Sequence, residues 1–224
     1  MLEVILDTET TGLSTAEKHR IVEIGCIELE DQIPTGKIFH EYINPQRKVS
    51  EEAYKIHGYS DEFLSNKKTF NEISDNFLEF IKYKKIIIHN ASFDLAFLNY
   101  ELGLLSKIKI NRENIIDTLE IARKKYPGSQ NSLDALCKRF NIDNSIREKH
   151  SAIIDCQLLR KIYINLLDQK EPKLNLNMNE DISTKLVSKE KTKTTSSRKV
   201  IKPTSKEFEL HSQYLKSLLP KNFF

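Results

Sequence analysis

Cysteine is scarce in this chain and apolar runs are short, and each absence narrows the field. The three cysteines, Cys26, Cys137 and Cys156, are widely spaced, with no CxxC pair and no even framework. That pattern argues against a disulfide scaffold and fits reduced thiols packed inside a cytosolic protein. No window approaches the roughly 18 apolar residues of a membrane helix. The opening MLEVILD enters a strand-like run without a basic stretch and a following apolar stretch, so no secretory leader is expected either. The expected location is the cytoplasm. A large excess of one charge is also missing, because 35 Lys and Arg against 32 Asp and Glu leave only +3. The total therefore does not announce a nucleic-acid partner. Its distribution says more: the stretch from Lys185 to Lys206 is strongly basic, while the part before it tilts slightly acidic. Much of the positive charge lies outside the expected domain, and an acidic cleft inside it would suit metal ions. No internal repeat is found.

What is present is the balance of a soluble globular protein, with 39% apolar and 30% charged residues over 224 positions, enough for one domain and a modest appendage. Leu2 to Leu6, Ile21 to Leu29 and Lys37 to Ile43 have the alternation or β-branched density of strands. Thr69 with Glu72 forms a capping box, and Phe70, Ile73, Phe77, Leu78 and Ile81 then recur at helical spacing. A fourth strand is expected over Lys85 to Ile88, followed by a helix from Asp94 closed by Gly103. A short strand at Ile115 and Ile116, a helix from Ser132 to Phe140 and a long helix from Ala152 to Leu167 complete a mixed α/β pattern. Past Leu167 the texture changes. Residues 169–198 read as a flexible charged linker after a domain over 1–168, and 199–224 as a C-terminal segment. In that segment Thr204 and Glu207 form another capping box ahead of an amphipathic helix. Its face of Phe208, His211, Leu215 and Leu218, with Tyr214 and Leu219 alongside, calls for a partner surface.

The strongest local signal is DTETTGL, starting at Asp7 at the end of a strand. Alternation puts Asp7 and Glu9 on one face, where two carboxylates can converge on a hard cation such as Mg²⁺ or Mn²⁺. A lone DxE is more often a strand end followed by a turn. A further acid, Asp94, ends HNASFD at a helix start, where by itself it would only complement the helix dipole. Asp155 ends HSAIID among Ala152, Ile153, Ile154, Leu158 and Leu159, and an acid buried there needs pairing or coordination. On a continuous helix His150 and Asp155 would diverge by about 140°, so His150 is expected in the loop before the helix, free to reach over the cleft as a general base.

The set DxE, D and HxxxxD resembles the DEDD exonucleases of the H subclass, and most closely their epsilon branch, the proofreading subunits of bacterial DNA polymerase III. The likeness covers about residues 3 to 167 and rests on DTETTGL, HNASFD and HSAIID standing together in order. It implies a ribonuclease H-like mixed sheet flanked by helices and 3′–5′ exonuclease activity with two divalent ions, Mg²⁺ or Mn²⁺. By the same likeness Asp7, Glu9 and Asp155 bind the metals directly, Asp94 supports the second ion, and His150 is the base. Glu52 and His57, matching residues that line the pocket for the terminal nucleotide, complete a substrate site with Asp7, Glu9 and Asp155. Taken alone, His57 before Gly58 is an ordinary helix end. The implied partners are a DNA 3′ end, frayed or single-stranded, and the polymerase alpha subunit through the C-terminal segment, at the replication fork. A small theta-like subunit is a further candidate. The glutamine-led motif that often reaches the sliding clamp is not matched, since Gln169 to Leu176 lacks the hydrophobic and aromatic ending. Two other readings compete: a stand-alone nuclease trimming RNA or short oligonucleotides, and a non-catalytic polymerase scaffold. The tail opposes the first, and the full set of acids with His150 opposes the second.

Overall fold

The computed structural model describes residues 1–145, 147, 149–167 and 203–218, with the backbone alone at 215–218. The chain starts with three strands, β1 (Leu2–Thr10), β2 (Ile21–Glu30) and β3 (Ile33–Asn44), paired antiparallel in turn. Two short helices follow, α1 (Glu51–His57) and α2 (Asp61–Ser65), then a two-residue strand β4 (Lys68–Thr69) and the helix α3 (Phe70–Ile81). The chain continues as β5 (Lys85–Ile88), α4 (Ala91–Leu104), β6 (Ile115–Asp117), α5 (Thr118–Lys125), α6 (Leu133–Arg139) and α7 (Ala152–Leu166). The six strands make one mixed sheet in the order β4-β3-β2-β1-β5-β6, with β5 and β6 parallel to β1.

The pattern in β1 explains the layers. Val4, Ile5 and Leu6 are all fully buried, because helices cover both faces of this central strand. Val4 and Leu6 pack with Phe77 of α3 and Phe97 of α4, whereas Ile5 packs with Cys156 and Leu159 of α7. With a period of two, Asp7 and Glu9 follow Ile5 onto the α7 face. One further residue makes that face accessible. Gly25 sits opposite Asp7, and a β-carbon there would lie 2.7 Å from the carbonyl carbon of Ala152 and 2.7 Å from the amide of Ile153. Only a glycine lets the start of α7 approach the sheet this closely.

Several expectations shift. The capping box at Thr69 and Glu72 forms and starts α3 as its spacing predicts. The strand over Lys85–Ile88 is the fifth and not the fourth, since the brief β4 pairs with the end of β3. Helix α4 begins at Ala91, three residues before Asp94, because the Asp117 carboxylate accepts the Asn90 and Ala91 amides at 3.1 and 3.0 Å. Gly103 does not close α4: it lies inside the helix, which ends with Leu105 as its cap at φ −94° and ψ 2°. Asp7 and Glu9 lie within β1 and not beyond its end.

The chain divides into two units, Met1–Lys173 and Leu174–Phe224. The described part of the second centres on the helix α8 (Ser205–Leu218). Its capping box forms as expected, with Thr204 donating to Glu207 from both its amide and its hydroxyl. Phe208, Leu210 and Tyr214 are each more than half exposed. The side chains of Leu215 and Leu218, and Leu219 altogether, lie outside the described residues, as do the expected linker over 169–198 and the Gln169 to Leu176 stretch.

Candidate active site

The pairing of β1 with β5 stops at Ile5 opposite Ile87, while β1 runs on to Thr10. The edge freed by that mismatch is where the acids gather. Thr8 donates its amide and its hydroxyl to one oxygen of Asp94, at 3.0 and 2.7 Å, so the first turn of α4 is tied to the strand between Asp7 and Glu9. On the α7 side, Asp155 lies in the first turn, and His150 stands in the loop before the helix as its spacing predicts. The His150 amide donates to the Ile56 carbonyl at 3.2 Å, which docks that loop against α1. Ligand-type atoms of Glu9, His150 and Asp155 all lie within 4.8 Å of one another. Donors around one Mg²⁺ or Mn²⁺ at about 2.1 Å can be no more than about 4.2 Å apart, so this trio needs only a slight contraction to hold a cation.

The charges around this cleft ask for such a cation. Asp94 and Asp155 are 3% and 4% exposed, and Glu9 is 9% exposed. Burial first, then the negative Asp155, Glu23 and Asp94 nearby, push the Glu9 carboxyl up to about 8. Asp94 is pushed up to about 7 by burial, against the stabilising hydrogen bonds from Thr8. Asp7 rises well above the usual carboxylate range through burial and the charges of Asp94, Glu9 and Asp155. Burial also raises Asp155, opposed by Arg147, and lowers His150, which is therefore neutral near pH 7. Four carboxylates that stay raised even with Arg147 against Asp155 and Thr8 against Asp94 fit a divalent cation and not an anionic group.

A consequence for stability follows. Acids whose folded pKa is raised favour folding below their unfolded value and cease to do so as pH climbs through the folded value. The metal-free protein is therefore expected to lose thermal stability as pH rises from about 4.5 to about 8, the interval over which Glu9 alone shifts. Each kcal/mol lost lowers Tm by about 2–4 °C in a domain of this size. Mg²⁺ should restore Tm at pH 8 far more than at pH 5. Thermal melts in EDTA and in Mg²⁺ across this range check it, and a metal-free Tm that rises toward pH 8 would refute it.

The pocket beside the acids brings in Glu52 and His57. A cleft of about 460 Å³ is lined by Glu9, Thr10, Leu13, Glu52, His57 and Phe93, among others. Glu52 is exposed in the first turn of α1, and His57 is the last residue of that helix, 3% exposed, with Gly58 as the left-handed cap at φ 78°. The amide of Tyr59 donates to His57 Nδ1 at 3.0 Å, and the Tyr59 ring stacks on the imidazole. Burial lowers the His57 pKa, so its ring enters the cleft uncharged.

Two residues central to this geometry were not singled out by the sequence patterns. Glu23, opposite Glu9 in the sheet and fully buried, accepts from His40 at 2.7 Å, Tyr59 hydroxyl at 2.8 Å, Ser151 hydroxyl at 3.0 Å and Ala152 amide at 2.9 Å. Burial pushes its carboxyl up, but these donors together bring it below the usual range. It caps α7 from the sheet, where a negative charge is favoured, and so fixes the turn bearing His150 and Asp155. An acid between Val22 and Ile24 in an apolar strand was the available signal. Arg147 is the second: it pairs with Asp155 through two hydrogen bonds of 2.6 Å.

A cleft of paired acids and a neutral histidine beside a pocket of about 460 Å³ on a mixed sheet suits metal-assisted cleavage of a phosphodiester. Residues 4–163 match the RNase T type exonuclease family model. The DNA polymerase III subunit epsilon of Rickettsia felis is 47% identical over 222 residues, spanning 97% of this chain and 96% of that protein. The subunit of the same name from Escherichia coli is 45% identical over 170 residues, covering 72% of this chain and 70% of that one. Among solved structures, the nuclease domain of 3′hExo, a DEDDh family member bound to rAMP, overlays with a TM-score of 0.65 at 17% identity, covering 75% of this chain and 92% of that one. The chain belongs to this exonuclease family and, within it, to the epsilon subunits of DNA polymerase III. It is thus a 3′–5′ exonuclease of a replicative polymerase with an RNase H-like fold that takes divalent metal ions, as the motif pattern implied. Among the described residues no helix is long and apolar enough to cross a membrane.

Proposed function

We propose that this chain proofreads by removing mismatched nucleotides one at a time from DNA 3′ ends, with Asp7, Glu9 and Asp155 as direct ligands of two divalent ions, Mg²⁺ or Mn²⁺. The observation that carries the reading is the convergence of Glu9, His150 and Asp155 to within 4.8 Å, together with the half-buried Asp7 and the buried Asp94. When bound, such ions orient a water, lower its pKa and offset charge at the attacked phosphate. Asp94 is tied to β1 by accepting the Thr8 amide and hydroxyl, and would support the second ion. His150, neutral near pH 7, takes the water's proton, and its 45% exposed ring can turn toward a substrate. Glu52 and His57 hold the terminal nucleotide, whose unpairing is cheapest when it is mismatched, so selectivity does not require reading the base.

The partner in this reading is the alpha subunit of the polymerase, held by the face of Phe208, Tyr214, Leu215 and Leu218, with a theta-like subunit as a further contact. The 97% coverage by the Rickettsia relative carries the likeness beyond the nuclease domain into this tail. Measuring release of the terminal nucleotide from matched and mismatched primer–templates tests the proofreading step. Faster release from the mismatched primer is expected, narrowing when both primers are single-stranded. Equal rates on the two duplexes would contradict it.

A further inference from the structure

We infer that Arg147 is a latch on the metal-binding cleft: its guanidinium holds both oxygens of Asp155 and the Nδ1 of His150, and it must release them for a divalent ion to bind. The inference rests on the proposed role of Asp155 as a metal ligand. Arg147 Nε donates to Asp155 Oδ1 at 2.6 Å and Nη2 to Oδ2 at 2.6 Å, a fork-to-fork pair. The same Nη2 lies 2.9 Å from His150 Nδ1. A guanidinium only donates, so Nδ1 accepts and the imidazole proton sits on Nε2. Both side chains of the ion pair are buried, at 6% and 5% exposure, so the pair is not a solvent-screened surface contact.

The consequence is competition for the same atoms. Mg²⁺ demands near-octahedral oxygen donors at about 2.1 Å, and the in-plane edge of Asp155 that would offer them is filled by the guanidinium. A fixed positive charge at that edge also repels the incoming ion. While Arg147 is engaged, the Nδ1 lone pair of His150 cannot accept a proton, so one side chain holds back both a ligand and a base. Release does not strand the cation. Arg147 Nη1 donates to Asp134 at 2.8 Å, and Asp134 is 57% exposed, so the arginine can swing outward on that contact when it leaves Asp155. In the metal-free protein the latch supplies the counter-charge that Asp155 otherwise lacks and keeps the loop carrying His150 against α7.

Direct Mn²⁺ binding to the full-length protein, followed by electron paramagnetic resonance of the free ion, tests this without reference to activity. Arg147→Gln removes the charge and the fork, and is expected to bind Mn²⁺ tighter on the order of tenfold, with a lower Tm in EDTA. A residue that only shaped the loop would give weaker binding, and equal or weaker binding by the folded variant overturns the latch. Asp155→Asn separates the two layers of the reading. If it binds Mn²⁺ as the wild type does, the metal assignment fails and the latch with it. If it loses binding while Arg147→Gln gains nothing, the latch alone fails. Should Arg147→Gln not fold, the wild type still decides: the Arg147 Nε–H nuclear magnetic resonance signal, identified by its loss in Arg147→Lys, is expected to shift and exchange faster with solvent as Mg²⁺ saturates the protein. A signal unchanged at saturation overturns the proposal.

Discussion

Replacing Asp155 with alanine is expected to abolish hydrolysis of DNA in excess Mg²⁺ while leaving a folded domain. The loss should be roughly 10³-fold or more, because a direct ligand helps to supply several kcal/mol of transition-state charge stabilisation and each 1.36 kcal/mol is worth tenfold. The fold should survive because the mutation removes a buried acid whose neighbours are Glu9 and His150, relieving repulsion as well as losing a pair. Arg147 would lose its bidentate partner but keep Asp134. Asp7→Ala should behave alike. Initial rates on single-stranded DNA, with circular dichroism as the control for folding, check both, and near wild-type rates from either variant would remove that residue from the metal site.

The second large effect is expected in assembly and not in chemistry. Ending the chain after Leu167 should leave hydrolysis of single-stranded DNA nearly intact, since Asp7, Glu9, Asp94, His150 and Asp155 all precede the cut and α7 is complete. Capture of the polymerase alpha subunit should weaken on the order of 10³-fold, as loss of two anchors worth about 2 kcal/mol each implies. Phe208 and Tyr214, 65% and 61% exposed on α8, are the described side chains of that face best placed to bury themselves in a partner. Pull-down with full-length and shortened protein checks this. Equal recovery of the polymerase subunit would show that the tail is not its tether.

Much of the site was legible because its chemistry is written locally. Asp7 and Glu9 share a face by strand period alone, and the place of His150 before α7 follows from a helical angle. Capping boxes at Thr69 and Thr204 were readable for the same reason, each needing only four residues. What escaped depends on residues far apart in the chain. Glu23 looks like the polar side of an alternating strand until Ser151, 128 positions later, donates to it. Gly25 becomes necessary only when the backbone of α7 lies against it. Asp117 moves the start of α4 by capping it from a different strand, which no pattern around Asp94 could foretell. Arg147 stands three residues from His150 in a loop without periodicity, and its importance appears only as a pair of 2.6 Å contacts to Asp155.

The central claim is that this cleft removes nucleotides from 3′ ends by metal-assisted hydrolysis, and the wild-type protein with end-labelled single-stranded DNA tests it most directly. In Mg²⁺ the 3′ label should leave at once as a mononucleotide, while a 5′ label stays on a ladder shortening by single steps, and EDTA should stop both. Release of the 5′ label first, cuts within the strand, or undiminished hydrolysis in EDTA would contradict the account.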